Sequence, residues 1–119
     1  MARQQYRTAT DQEAARQESA LLRLQLRQMA EDVRGALAHE PTRRLLWVFL
    51  QTMGLDDSPF NTNAMAQSRA IGRAEAAQWW LRAIRDNCPE RESQMRAEAN
   101  AAMKRLQSQL QHTEEGNDD

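Results

Sequence analysis

Apolar residues recur along this chain at helical spacings. Leu22, Leu26, Met29, Val33 and Leu37 follow one another at steps of four, three, four and four. That is one face of a helix. Arg16, Arg23, Arg27, Glu31 and Arg34 occupy the other face. Thr10 with Glu13 three residues on reads as a capping box, so the first helix is expected to begin there. His39, Glu40 and Pro41 break it, and Pro41 suits the first turn of the next helix, where its missing N–H is not needed.

The densest apolar run, RRLLWVFLQTMGL (Arg43 to Leu55), predicts a second helix from Pro41 to Met53. Leu46, Phe49, Leu50 and Met53 form its core set, and Leu45, Trp47 and Val48 widen the surface, so the helix is expected to be nearly surrounded. Gly54 is placed to close it in the left-handed conformation with Leu55 folding over the last turn. The turn-rich stretch DDSPFNTN follows, and Phe60 within it is expected to fold back onto the helices.

A third helix is expected over Ala64–Asn87, with Ala70, Ala77, Leu81, Ile84 and Cys88 on one face and Met65, Gly72, Ala76, Trp79 and Ala83 nearer another. Pro89 separates it from a fourth over Glu90–Gln111, where Ala99, Met103, Leu106 and Leu110 repeat at four, three and four. That narrow stripe suits either packing on the domain or pairing with a second chain. HTEEGNDD reads as a frayed acidic tail. The expected fold is all-α: a small helical domain of about four helices, with long amphipathic N- and C-terminal helices flanking a central helical hairpin. Its parts are an N-terminal helical extension (1–40), a core hairpin (41–90), and a C-terminal helix with acidic tail (91–119).

Composition sets the scale. The 119 residues are 40% hydrophobic with a mean hydropathy of -0.86, so core material is scarce. Lys and Arg number 16 against 17 Asp and Glu, which gives no global charge to recruit nucleic acid or membrane. No apolar run approaches a membrane span, and MARQQYRTAT lacks the apolar stretch of a signal peptide. A soluble site of action is expected.

Candidate chemistry is sparse. His39, His112 and Cys88 lie far apart in sequence and form no HExxH or CxxC pattern, so neither a metal nor another cofactor is expected. Cys88 sits at the negative end of a helix, which disfavours a thiolate, and is read as a buried structural thiol. The four glycines build no phosphate-cradling loop, and the adjacent Asp56 and Asp57 read as hydrated surface. No enzyme is expected.

Binding residues stand out more clearly. Trp47, Trp79 and Trp80 are hard to bury together in so small a domain, and adjacent Trp79 and Trp80 point about 100° apart. At least one is expected at a partner surface. Arg69, Arg73, Arg82 and Arg85 on the third helix are candidates for phosphate or an acidic partner. Arg43 and Arg44 open the second helix, where the macrodipole disfavours positive charge, which hints at an acidic partner. Whether Trp47 and this arginine pair face inward or outward stays open at the level of sequence.

RRLLWVFLQTMGL, followed by SPFNTN, GRAEAAQWWLRAI and the proline of NCPE, resembles the Bbp19-like proteins of tailed bacteriophages. The matching positions are Arg43, Arg44, Leu46, Trp47, Gly54, Ser58, Phe60, Asn63, Gly72, Arg73, Trp79 and Leu81, about half the chain. Pro59 intrudes before Phe60, the family's loop glycine is absent, and Ala74 and Ala77 replace an Arg and a Gly.

The resemblance implies a non-enzymatic structural or accessory protein of the phage particle, at the portal or head-to-tail region or packaged inside and ejected with the DNA. It implies a place in the virion, with the host cytoplasm as the site of assembly. Other phage structural proteins (portal, tail or internal core proteins) and further copies in a symmetric homo-oligomer are the expected partners. Trp47, Trp79, Trp80, Arg43, Arg44 and Phe60 are the expected contact residues. A small DNA-associated phage protein using the third-helix arginines, and a transient assembly chaperone or scaffold, are the alternatives.

Overall fold

A computed structural model of the chain describes residues 2–58 and 62–117, and the fold is all-α. Four helices follow in order: α1 (Ala2–Leu37), α2 (Glu40–Thr52), α3 (Ala64–Asn87) and α4 (Glu90–Asn117). Among the described residues there is no strand. The chain divides into two compact units, 1–32 and 33–119. Phe60, expected to fold back onto the helices, lies outside the described residues.

The first unit is the long helical part of α1. Thr10 does not start this helix, which is already running at Ala2. The residues before Thr10 include no proline or glycine, and Ala, Arg and Gln favour helix, so the local capping pattern does not act as a boundary. Leu21, Leu22, Leu24 and Leu26 are each at least half exposed in this unit.

The second unit holds the core, to which each helix contributes one large, fully buried side chain: Leu37, Leu50, Ile84 and Met95. Val33, Leu55, Ala77, Leu81, Ala83 and Cys88 complete it. The buried face expected for α3 is found at Ala77, Leu81, Ile84 and Cys88. Met95 sits among polar neighbours in ESQMRAE, one four-residue step before Ala99, and so extends the expected α4 stripe backward into the core.

Helix ends explain the connections. Asn63 caps α3, its side-chain oxygen accepting from the Ala66 N–H at 3.0 Å. The end of α2 forms a Schellman closure. The Leu55 N–H donates to the Leu50 carbonyl at 3.0 Å, the Gly54 N–H donates to the Gln51 carbonyl at 3.0 Å, and Gly54 has φ +81°. His39 is the extended residue before α2, with Pro41 in the first turn.

Two expectations are corrected here. α2 is not nearly surrounded: Leu50 is fully buried, but Leu45, Val48 and Phe49 are exposed, because only one face meets α3 and α4. HTEEGNDD is not a frayed tail over its described part, since α4 continues helically to Asn117. Gln, Leu, Glu and His carry the turns without a breaker until Gly116.

Candidate functional site

The contact between α2 and α4 is built by charges at its base and apolar side chains at its mouth. Arg43 is buried, only 7% exposed. Its Nε donates to Glu98 Oε1 at 2.8 Å, and its Nη1 donates to the Leu37 carbonyl at 2.9 Å. One guanidinium thus satisfies a carbonyl at the end of α1 and joins α2 to α4. The positive charge at the start of α2 therefore has its acidic partner inside the fold. Arg34 plays a similar part for α3, donating to the Asn87 carbonyl at 3.0 Å.

A second polar chain ties the far end of α2 to α4 and α3. Arg96 donates from both terminal nitrogens to the Asp56 carboxylate, at 3.1 and 3.2 Å, and Gln51 donates to the same group at 2.9 Å. Glu92 lies 3.8 Å from Arg96 Nε and accepts from Arg85 Nε at 2.7 Å. These donors hold both carboxyls below their ordinary values: Arg96 and then Gln51 act on Asp56, and Arg85 acts on Glu92.

Trp47 lies beneath Arg96, whose guanidinium carbon is 4.9 Å from the centre of the indole ring. Trp47 is partly buried. Beside it opens a groove of about 460 Å³. Trp47 and Val48 of α2 form one wall, and Met95, Ala99, Ala102, Met103 and Leu106 of α4 form the floor and the other wall. Ala99 and Ala102 are small, so the floor can admit a large side chain. The charged residues Glu40, Arg43, Arg44, Glu98 and Arg105 also line it.

The stripe foreseen on α4 continues the buried Met95 face outward, and among the described residues it stays exposed. Met103, Leu106 and Leu110 are 56%, 59% and 61% exposed. Trp79 on α3 is also half exposed and meets the Trp80 ring edge-on, with centroids 5.2 Å apart at 86°. Trp80 is partly covered.

The arginines of α3 do not make one surface. At about 100° per residue, Arg69 and Arg73 share one side while Arg82 and Arg85 lie near the opposite side. Arg69, Arg73 and Arg82 are exposed, and Arg85 is engaged by Glu92. Cys88 is buried, and burial, then the nearby Glu90 charge, pushes its thiol up, away from thiolate chemistry. Among the described residues no three His, Cys, Asp or Glu side chains converge as a metal site, and no helix is long and apolar enough to cross a membrane.

Sequence reasoning located Trp47, Trp79 and the α4 stripe but missed the groove that joins the first to the last. Its floor, Ala99 and Ala102, carries no signal beyond small size. No family model, curated protein or solved structure matches the chain.

Proposed function

We propose that this chain is a non-enzymatic assembly subunit of a tailed bacteriophage particle, holding its neighbours through the apolar helix faces that its own core leaves open. The observation that carries this reading is the α2/α4 groove, whose Trp47 wall runs onto the exposed Met103, Leu106 and Leu110 stripe. Exposed apolar surface of that continuity marks an interaction site in a folded protein. The polar groups nearby are engaged with one another: Arg43 with Glu98, Arg96 with Asp56, Arg85 with Glu92. They fix the groove's walls and leave the groove itself apolar.

The resemblance of Arg43, Arg44, Trp47, Gly54, Gly72, Arg73 and Trp79 to the Bbp19-like pattern supplies the phage setting. Within that pattern Arg43 and Gly54 have structural work, one as a buried tie and the other as a helix stop. Trp79 is a candidate outward contact. Placement near the portal or inside the head, with the other virion proteins as partners, belongs to the same proposal. Mass spectrometry of purified, mature particles tests it. Peptides of this chain at constant stoichiometry are expected. Their presence in immature heads and absence from mature particles would favour a scaffold, and absence from both would overturn the reading.

A DNA-associated role has a narrower base in Arg69 and Arg73, which share one side of α3. It requires DNA binding that weakens steeply as salt rises.

A further inference from the structure

We infer that the N-terminal part of α1 pairs with the same helix of a second copy of this chain, as a parallel two-stranded coiled coil. The inference goes beyond the assembly reading and uses a different face. In the first unit every residue from Thr8 to Gln28 is exposed, Leu22 by 55% and Leu26 by 50%. A helix in water draws most of its stability from the packing of an apolar face, and this face is uncovered among the described residues.

The apolar positions keep a heptad phase. Ala15, Leu22 and Met29 take position d, and Gln12, Ser19 and Leu26 take position a. Asp11 to Met29 makes about 28 Å of helix. Val33, next in phase, is already buried in the core of the second unit.

Charge selects a second copy and sets its direction. Position g holds Asp11, Glu18, Gln25 and Asp32, while position e holds Arg16, Arg23 and Ala30. One edge of the seam is therefore acidic or neutral and the other basic or neutral, with supercoiling taking up the drift of about 20° per heptad. Glu13, Arg27 and Glu31 fall on outer positions. Asp11 precedes Arg16 by five residues, and Glu18 precedes Arg23 by five. Within one helix that spacing turns acid and base about 140° apart, so they do not meet. Between parallel helices in register it is the spacing at which g faces e of the other strand.

Among the described residues Asp11, Arg16, Glu18 and Arg23 enter no ion pair within the chain, and Arg23 gives only a 3.4 Å bond to the Ser19 carbonyl. Antiparallel helices would set the acidic edge against itself and the arginines against arginines. In the parallel pair a two-fold axis repeats the acid and base contacts on both sides of the seam, so the interface is isologous and closes at two copies. Leu21 and Leu24 lie at outer positions and stay uncovered in the pair.

Light-scattering mass and sedimentation of the full chain test this. The wild type is expected as a dimer. Leu22→Asp with Leu26→Asp is expected to halve the mass while leaving the emission of the tryptophans, all in the second unit, unchanged. Leu24→Asp, on the outer side, is expected to stay dimeric. Asp11→Lys with Glu18→Lys makes both edges basic over these heptads, and Arg16→Glu with Arg23→Glu makes both acidic. Each of these chains alone is expected as a monomer, and their equal mixture as a dimer. In a Cys88→Ser background, Ala15→Cys chains are expected to form a disulfide with one another, since d meets d across parallel helices.

A monomeric or trimeric wild type, a dimer that survives Leu22→Asp with Leu26→Asp or is lost in Leu24→Asp, a mixture that stays monomeric, or a disulfide between Ala15→Cys and Met29→Cys chains would each overturn the inference. A monomeric wild type that is still found in purified particles overturns the pairing alone and leaves the assembly reading standing.

Discussion

Arg43 on α2 donates its Nε to Glu98 on α4 at 2.8 Å, and the same guanidinium holds the Leu37 carbonyl at 2.9 Å. A buried charge is tolerated here because both sides of its fork are satisfied. Arg43→Ala leaves Glu98 and the carbonyl without that partner, and a loss of about 2–3 kcal/mol in urea unfolding is expected, below the fully buried case because Glu98 keeps some access to water. Arg43→Lys keeps the charge but not the fork and should lose about 1 kcal/mol. Wild-type stability in Arg43→Ala would contradict the tie.

Gly54 and Gly72 should respond in opposite directions to alanine. At Gly54 an added Cβ meets nothing closer than 3.7 Å, so the cost is conformational, from φ +81°, and about 1–2 kcal/mol is expected. Gly72 lies inside α3 with open space around it, and alanine there should add about 0.5–1 kcal/mol. Thermal melts of the two variants check the pair. Equal shifts of the same sign would rule out the Schellman closure as the determinant.

How much of this was legible beforehand follows from the same residues. Asn63, Gly54 with Leu55, and Pro89 are local signals, and they place the α3 start, the α2 end and the α3/α4 break correctly because the chemistry of a cap involves only near neighbours. Thr10 is also local, yet the helix passes through it, since a cap acts only where the preceding residues leave the helix. Met95 and Arg43 are long-range. The one is made buried by Leu37, Leu50 and Ile84, and the other by Glu98, fifty-five residues away. The groove is long-range for the same reason, because the alanines of its floor gain meaning only when Trp47 faces them.

Acid should destabilise the fold in part through Asp56 and Glu92. Their folded values lie below the ordinary 3.8 and 4.5, because Arg96 and Gln51 hold the first carboxylate and Arg85 the second. A carboxyl depressed in the folded state contributes fully above its unfolded value, and that contribution fades as pH falls through the lower folded one. Melting temperature should therefore decline from about pH 5 downward. Asp56→Asn with Glu92→Gln should start lower at neutral pH and decline less. An unchanged acid slope in the double variant would contradict these pairings.

Trp47 is half core and half groove wall, and its substitutions should divide accordingly. Trp47→Ala is expected to lose about 2–3 kcal/mol, less than a fully buried tryptophan would, since the side chain is only partly buried. Arg96→Ala removes the cation above the ring together with the Asp56 bonds and should red-shift the emission of that tryptophan in a chain carrying Trp79→Phe and Trp80→Phe. Unchanged emission would place Arg96 away from the indole in solution.

Hydroxyl-radical footprinting of this chain, free in dilute solution and within purified particles, tests assembly through open apolar faces most directly. Met103 and Trp79 are expected to oxidise readily in the free chain and to be protected in the particle, while buried Met95 stays protected in both. Equal oxidation of Met103 and Trp79 in the two states would contradict it.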